Sequence, residues 1–217
     1  MKLKFLNASL IGLLLTVCSS ANAWLITSED FESGTATDWS NNLVTVGNSN
    51  FTTFLGRHAG SNGNQYLSKT FALTGNQTEV NISFSFYEID SWDNESLNIY
   101  INDILVRTDV YSVHAIDAPS GTTSLFTDNT SFGFTGSYYD QGIGYSFILN
   151  TTETSLKLGF GTTINQAIND ESWGIDNVII MDNIQGDPNM SVPEPTTLAI
   201  FTLGIIGLAS RRLKKQS

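Results

Sequence analysis

The chain has 217 residues, with 21 Asp and Glu against ten Lys and Arg, and a formal charge of −11. Six of the cations are Lys2, Lys4, Arg211, Arg212, Lys214 and Lys215 at the two ends, so the body keeps only Arg57, Lys69, Arg107 and Lys157 against 20 carboxylates. That balance excludes a basic nucleic-acid surface, which requires clustered cations, and suits a solubilising exported surface or a calcium-rich setting.

Lys2 and Lys4 open a basic segment, residues 5–17 are largely apolar, and Ala21-Asn22-Ala23 has the small-x-small pattern of a cleavage site. The expectation is a secretory leader over residues 1–23, cut after Ala23 by signal peptidase. The single cysteine, Cys18, offers a lipoprotein alternative through Leu15-Thr16-Val17-Cys18, but Val17 is bulky where a small residue is needed. Loss of the leader leaves a mature chain without cysteine, hence without disulfide, thiol catalysis or thiolate-bound metal.

Residues 24–182 are long enough for one domain with a real core. Their periodicity is that of strands. Val80, Ile82, Phe84 and Phe86 alternate with Asn81, Ser83 and Ser85, which places four apolar side chains on one sheet face. Leu97, Ile99 and Ile101 repeat the pattern, and Asn102-Asp103 reads as a tight turn into Ile104-Leu105-Val106. Leu156, Leu158 and Phe160 form a third such run, and Ile175, Val178 and Ile180 a fourth. Weaker strands are expected over 24–28, 42–46, 51–55, 65–72, 109–115 and 143–149. No stretch of the body sustains a 3.6-residue period, so the fold class is all-β, a two-sheet antiparallel β-sandwich of jelly-roll type. Residues 118–142 form the longest stretch without an expected strand. They are an aromatic loop of the kind that carries ligands, unless Phe132 and Phe134 mark a further strand.

Two constellations carry chemistry. The first joins the ends of the domain: Asp30-Phe31-Glu32-Ser33-Gly34 with Trp39 soon after, and Gly174-Ile175-Asp176-Asn177-Val178 in the last strand. Here the body resembles exported jelly-roll domains of the carbohydrate-binding-module and lectin-like type. The resemblance implies that Glu32 and Asp176 approach each other, with Asp30 close by, and hold a structural Ca²⁺ through hard carboxylate oxygens. The alternative is that Asp176 caps a turn or accepts backbone N–H bonds.

The second is an echo: Asp90-Ser91-Trp92-Asp93-Asn94-Glu95 and Asp170-Glu171-Ser172-Trp173. Carboxylates such as Asp90, Asp93 and Glu95 bind sugar hydroxyls or ligate Ca²⁺, while the faces of Trp92 and Trp173 suit stacking on a pyranose ring. The alternative places both indoles in the core edge and the acids in water. The spacing does not match an EF-hand loop. Catalysis has little support, because His58 and His114 are the only histidines and neither accompanies a Gly-x-Ser-x-Gly elbow or a His-Glu-x-x-His motif.

Gly186, Asp187, Pro188 and Asn189 mark a linker over residues 183–191. Beyond it come Val192-Pro193-Glu194-Pro195, an uncharged apolar run over 196–210, and Arg211, Arg212, Lys214 and Lys215. Two prolines forbid continuation of any regular element, and the apolar run spans roughly 22 Å, marginal for a membrane helix. The basic end would stay cytoplasmic and the body outside. With all three parts in order, residues 192–215 resemble the PEP-CTERM sorting tail of Gram-negative bacteria. An ordinary membrane anchor is the alternative. The resemblance implies an inner-membrane-anchored precursor, recognition near Pro193, Glu194 and Pro195 by an exosortase-type protease, and delivery to the cell surface or extracellular matrix.

The expected function is a non-catalytic exported protein of the surface or biofilm matrix that binds extracellular polysaccharide with calcium support. A glycan-active hydrolase or lyase on the same scaffold, and a purely structural adhesion protein, are the alternatives.

Overall fold

The structure is a computed structural model that describes residues 22–48, 50–60, 66–112, 118–128, 132 and 140–184. Of the leader only Asn22 and Ala23 fall within it; Cys18, Pro193, Glu194, Pro195, Arg211 and Arg212 lie outside the described residues.

Eleven strands, and no helix, occur among the described residues: β1 (Asn22–Glu29), β2 (Val44–Thr45), β3 (Phe54–His58), β4 (Tyr66–Ala72), β5 (Glu79–Asp90), β6 (Asp93–Ile101), β7 (Ile104–Ser112), β8 (Thr122–Asp128), β9 (Asp140–Asn150), β10 (Ser155–Thr162) and β11 (Glu171–Ile184). They form two antiparallel sheets. One runs β2-β3-β11-β5-β9-β8, with β1 also paired to β11, and the other β4-β10-β6-β7. The expected two-sheet sandwich is the fold.

Period-two alternation builds the core between the sheets. Val80, Ile82, Phe84 and Phe86 of β5 share one buried cluster with Leu97 and Ile99 of β6, Leu156, Leu158 and Phe160 of β10, and Ile175, Val178 and Ile180 of β11. Removing each such side chain from water stabilises the fold by roughly 1.5–3 kcal/mol. Tyr87 and Ile89 alternate to the opposite face of β5, where they pack with Phe51 and Phe54 in a second cluster, flanked by Phe126 and Phe132.

The Asn102-Asp103 turn forms as expected, with φ of 50° and 66°, and β7 runs unbroken from residue 104 to 112. One strand lies where none was expected: β8, paired with β9. Its Thr122, Thr123, Ser124 and Thr127 give no apolar alternation, and it forms because Phe126 settles over Gly142, where a Cβ would come within 2.4 Å of the ring. Phe132 is not in a strand but packs edge-on against Phe51 at 5.1 Å; Phe134 lies outside the described residues.

Gly174 faces Gly56 across the β11–β3 pair. A Cβ on Gly174 would lie 2.3 Å from Phe54 Cδ2 and 3.1 Å from the Leu55 carbonyl oxygen. Gly174→Ala therefore overpacks this contact and is expected to cost about 1–3 kcal/mol, read as a lower urea midpoint; an unchanged midpoint would show that Phe54 swings aside freely.

Candidate functional site

The two acidic Ser-Trp segments meet at one end of the sandwich. Asp90 closes β5 with φ of 70°, two residues carry the chain across to the other sheet, and β6 opens at Asp93. Glu171 pairs with Asp90 in register, and the Ser91 amide and hydroxyl donate to the Asp170 carbonyl and carboxylate, both at 2.9 Å. This brings oxygens of Asp93, Glu95 and Glu171 within 4.8 Å of one another. Glu95 is nearly buried and Glu171 fully so, while Asp93 is exposed.

The indoles expected to stack on a sugar do not face solvent. Trp92 and Trp173 are both 0% exposed. Trp92 sits where the chain passes between sheets, so its ring fills the gap: it meets Phe86 at 5.7 Å and Tyr111 at 5.9 Å, and its Nε1 donates to the Ser172 carbonyl at 3.0 Å. Trp173 shares the inward face of β11 with Ile175 and packs on His58 at 5.0 Å. Asp90 is likewise withdrawn from any ligand. Arg57 pairs with it at 2.7 Å and also donates to Ser172 Oγ and the Ile168 carbonyl. Arg57 was not singled out in the sequence, although a buried carboxylate had only four body cations to draw on.

Electrostatic crowding follows from this placement. Burial pushes the Glu95 carboxyl up to about 7, helped by the Asp93 side chain and the Glu171 charge. Glu171 is raised by burial, against hydrogen bonds from the Asn165 and Gln166 side that favour its ionised form. Glu88 lies well above the usual carboxylate range because burial outweighs the 2.6 Å bond from Gln141, and the charges of Asp140 and Glu95 add to it. Alternation after Val80, Ile82, Phe84 and Phe86 was the signal that Glu88 points inward.

At the first constellation, Glu32 and Asp176 do come together. The Thr53 amide donates to Glu32 Oε1 at 2.9 Å and the adjacent Thr52 hydroxyl to Asp176 Oδ2 at 2.6 Å. Asp176, fully buried, also accepts from Tyr87 OH at 2.8 Å, the Asn177 amide at 2.7 Å and Asn177 Nδ2 at 3.1 Å. Burial raises its pKa, against the bonds from Thr52 and Tyr87 that favour the carboxylate. Four donors already meet Asp176, three at Oδ2 and one at Oδ1, so hydrogen bonds hold this carboxylate in place. Asp30 accepts the Glu32 amide at 3.2 Å. The cluster is a hydrogen-bonded latch between the domain's ends.

Two measurements check these assignments. Arg57→Ala strands a fully buried Asp90, with an expected loss of about 3–5 kcal/mol in chemical denaturation, much of it restored by adding Asp90→Asn. Burial lowers His58 to about 4. A group depressed in the folded state contributes stability that is complete above its unfolded value near 6.5 and is lost as pH falls through the folded one. Relative to His58→Gln, the wild-type chain should lose on the order of 3 kcal/mol between pH 6.5 and 4; parallel stability curves would contradict the burial.

Residues 191–215 match the PEP-CTERM protein-sorting motif. No curated protein matches the chain. Among solved structures, the chain is similar to dimeric latent PorU from Porphyromonas gingivalis, at 13% identity and a TM-score of 0.42, over 74% of this chain and 12% of that one. It is also similar to the K3 cleaved adhesin domain of Lys-gingipain from Porphyromonas gingivalis w83, at 14% identity and a TM-score of 0.40, over 74% of this chain and 99% of that one. The sorting motif marks a secreted protein, held by its C-terminal tail before exosortase processing and destined for the cell surface.

Proposed function

We propose that this chain is a non-catalytic module of the bacterial surface or biofilm matrix that holds extracellular polysaccharide on the outer face of its four-stranded sheet. The observation behind this reading is the Tyr66 ring, which lies across Gly159 with 41% of the residue exposed: a Cβ there would meet the Tyr66 hydroxyl at 2.4 Å and Cζ at 2.8 Å. Tyr100 stands edge-on to it at 5.4 Å. Around the pair lie Lys157 and Asp103, joined at 2.7 Å, with Tyr66 OH donating to the same Asp103 oxygen at 3.1 Å. An aromatic platform rimmed by directed polar groups suits a sugar, whose ring has an apolar face and an edge of hydroxyls.

The non-catalytic reading draws on three groups that internal contacts withdraw from any substrate. His58, the one described histidine, is buried and held neutral at physiological pH, and Asp90 and Asp176 are committed to internal partners. A general base needs access to a substrate proton.

Affinity electrophoresis of the full chain through gels containing individual polysaccharides provides the test. At least one polymer should retard the wild type, and Tyr66→Ala or Tyr100→Ala should weaken retention about tenfold, equivalent to ~1.4 kcal/mol, without lowering thermal stability much. Release of reducing ends would favour the hydrolase, and free migration in every gel the purely structural protein.

A further inference from the structure

The oxygens of Asp93, Glu95 and Glu171 converge with no cation paired to them among the described residues. Each of the four body cations is committed elsewhere: Arg57 to Asp90, Lys69 to Glu29, Arg107 to Asp109 and Lys157 to Asp103. Glu171 takes hydrogen bonds from the Asn165 amide at 3.3 Å, from Gln166 Nε2 at 3.1 Å and from the Gln166 backbone, and Glu95 accepts the Asp93 amide and its own. Three carboxylates gathered at a half-buried point, met by backbone amides and the neutral Gln166 side chain, remain short of positive charge.

A second observation points into the same space. Glu88 Oε1 and Thr162 Oγ1 are buried and have no hydrogen-bond partner, in residues 0% and 2% exposed. Both lie on inward faces that converge on Glu95. Glu88 follows Phe86 on the inner side of β5, and its carboxyl feels the Glu95 charge. Thr162 is opposite Leu97, whose inward neighbour on β6 is Glu95. Buried oxygens are rarely left unpaired, because the loss of hydration costs about 1–3 kcal/mol each.

We infer that Asp93, Glu95 and Glu171 bind a divalent cation of the calcium class at the β5–β6 crossover, with ion-bound water reaching toward the unpaired oxygens of Glu88 and Thr162. Calcium takes six to eight oxygens at 2.3–2.6 Å, so two ligands on opposite sides of one ion lie about 4.6–5.2 Å apart. The three carboxylate oxygens, all within 4.8 Å of one another, are close enough to share one such ion. An all-oxygen set without histidine or thiolate disfavours zinc. The ion ties β6 of one sheet to β11 of the other at the point where the chain changes sheets, so its role is to brace the sandwich. This site is separate from the Tyr66 platform and from the Asp176 latch.

The full chain, in mild detergent and stripped with EDTA, is titrated with calcium during thermal melting and with terbium under tryptophan excitation. A hundredfold excess over Kd should raise the melting temperature by roughly 5–10 °C, and terbium should give saturable emission, sensitised by the adjacent Trp92 and quenched by calcium. Asp93→Asn, at an exposed position that leaves the core intact, and Glu95→Gln should each weaken both responses at least tenfold, while Glu32→Gln should leave them unchanged. The proposal is overturned by the absence of saturable terbium emission from the wild type, or by emission that survives Asp93→Asn and disappears in Glu32→Gln. If Glu95→Gln fails to fold, the wild-type and Asp93→Asn titrations decide alone.

Discussion

The pairing of β5 with β11 is the constraint on which the remainder depends. It runs from Glu171 opposite Asp90 to Asn183 opposite Glu79, interrupted once by a bulge between Asp176 and Ile179. The acidic Ser-Trp meeting point and the Asp176 latch both sit on this pair or at its ends, whereas the Tyr66 platform belongs to the other sheet. The register carries the two acidic Ser-Trp segments to one place, and the bulge, with Asn177 at φ of 50°, turns Asp176 toward the Thr52 hydroxyl. A slip of one residue would exchange Trp173 and Ile175 for Ser172 and Gly174 on the inner face.

Scarcity of positive charge governs the electrostatics. A body with four cations and 20 carboxylates cannot neutralise its acids by ion pairing, so it relies on other means. Asp176 is solvated by hydroxyls and amides, and Glu88 is held toward its neutral form by burial. Arg57 supplies the charge for Asp90 while its remaining donors fasten Ser172 and Ile168. Each solution is local, and each converts an acid from a potential ligand group into an element of the framework.

Alternation made much of the fold legible in the sequence. The inner faces of β5, β6, β10 and β11 follow it directly, and Asn102-Asp103 marked its own turn because both residues tolerate positive φ. β8 was illegible because its pairing depends on a glycine 16 residues later that admits the Phe126 ring. The site was legible in place but not in role. The Ser-Trp echo located the meeting of β5, β6 and β11, yet a tryptophan among carboxylates has the same local sequence whether it faces a sugar or plugs the space between sheets. What separates the two is the crossover after Asp90, a tertiary fact. Nor could the partnership of Arg57 with Asp90, 33 residues apart, be read from local pattern.

The position of β11 bears on how such a chain reaches the outside. It is the last strand among the described residues but lies inside its sheet, hydrogen-bonded to β1, β3 and β5. Until residues 171–184 have crossed the membrane, those three strands lack their shared neighbour and the sheet stays open. Non-local contacts of this kind also close slowly. The four-stranded sheet is complete in sequence by residue 162, so what waits for residues 171–184 is the joining of β1, β3 and β5 into one layer over it.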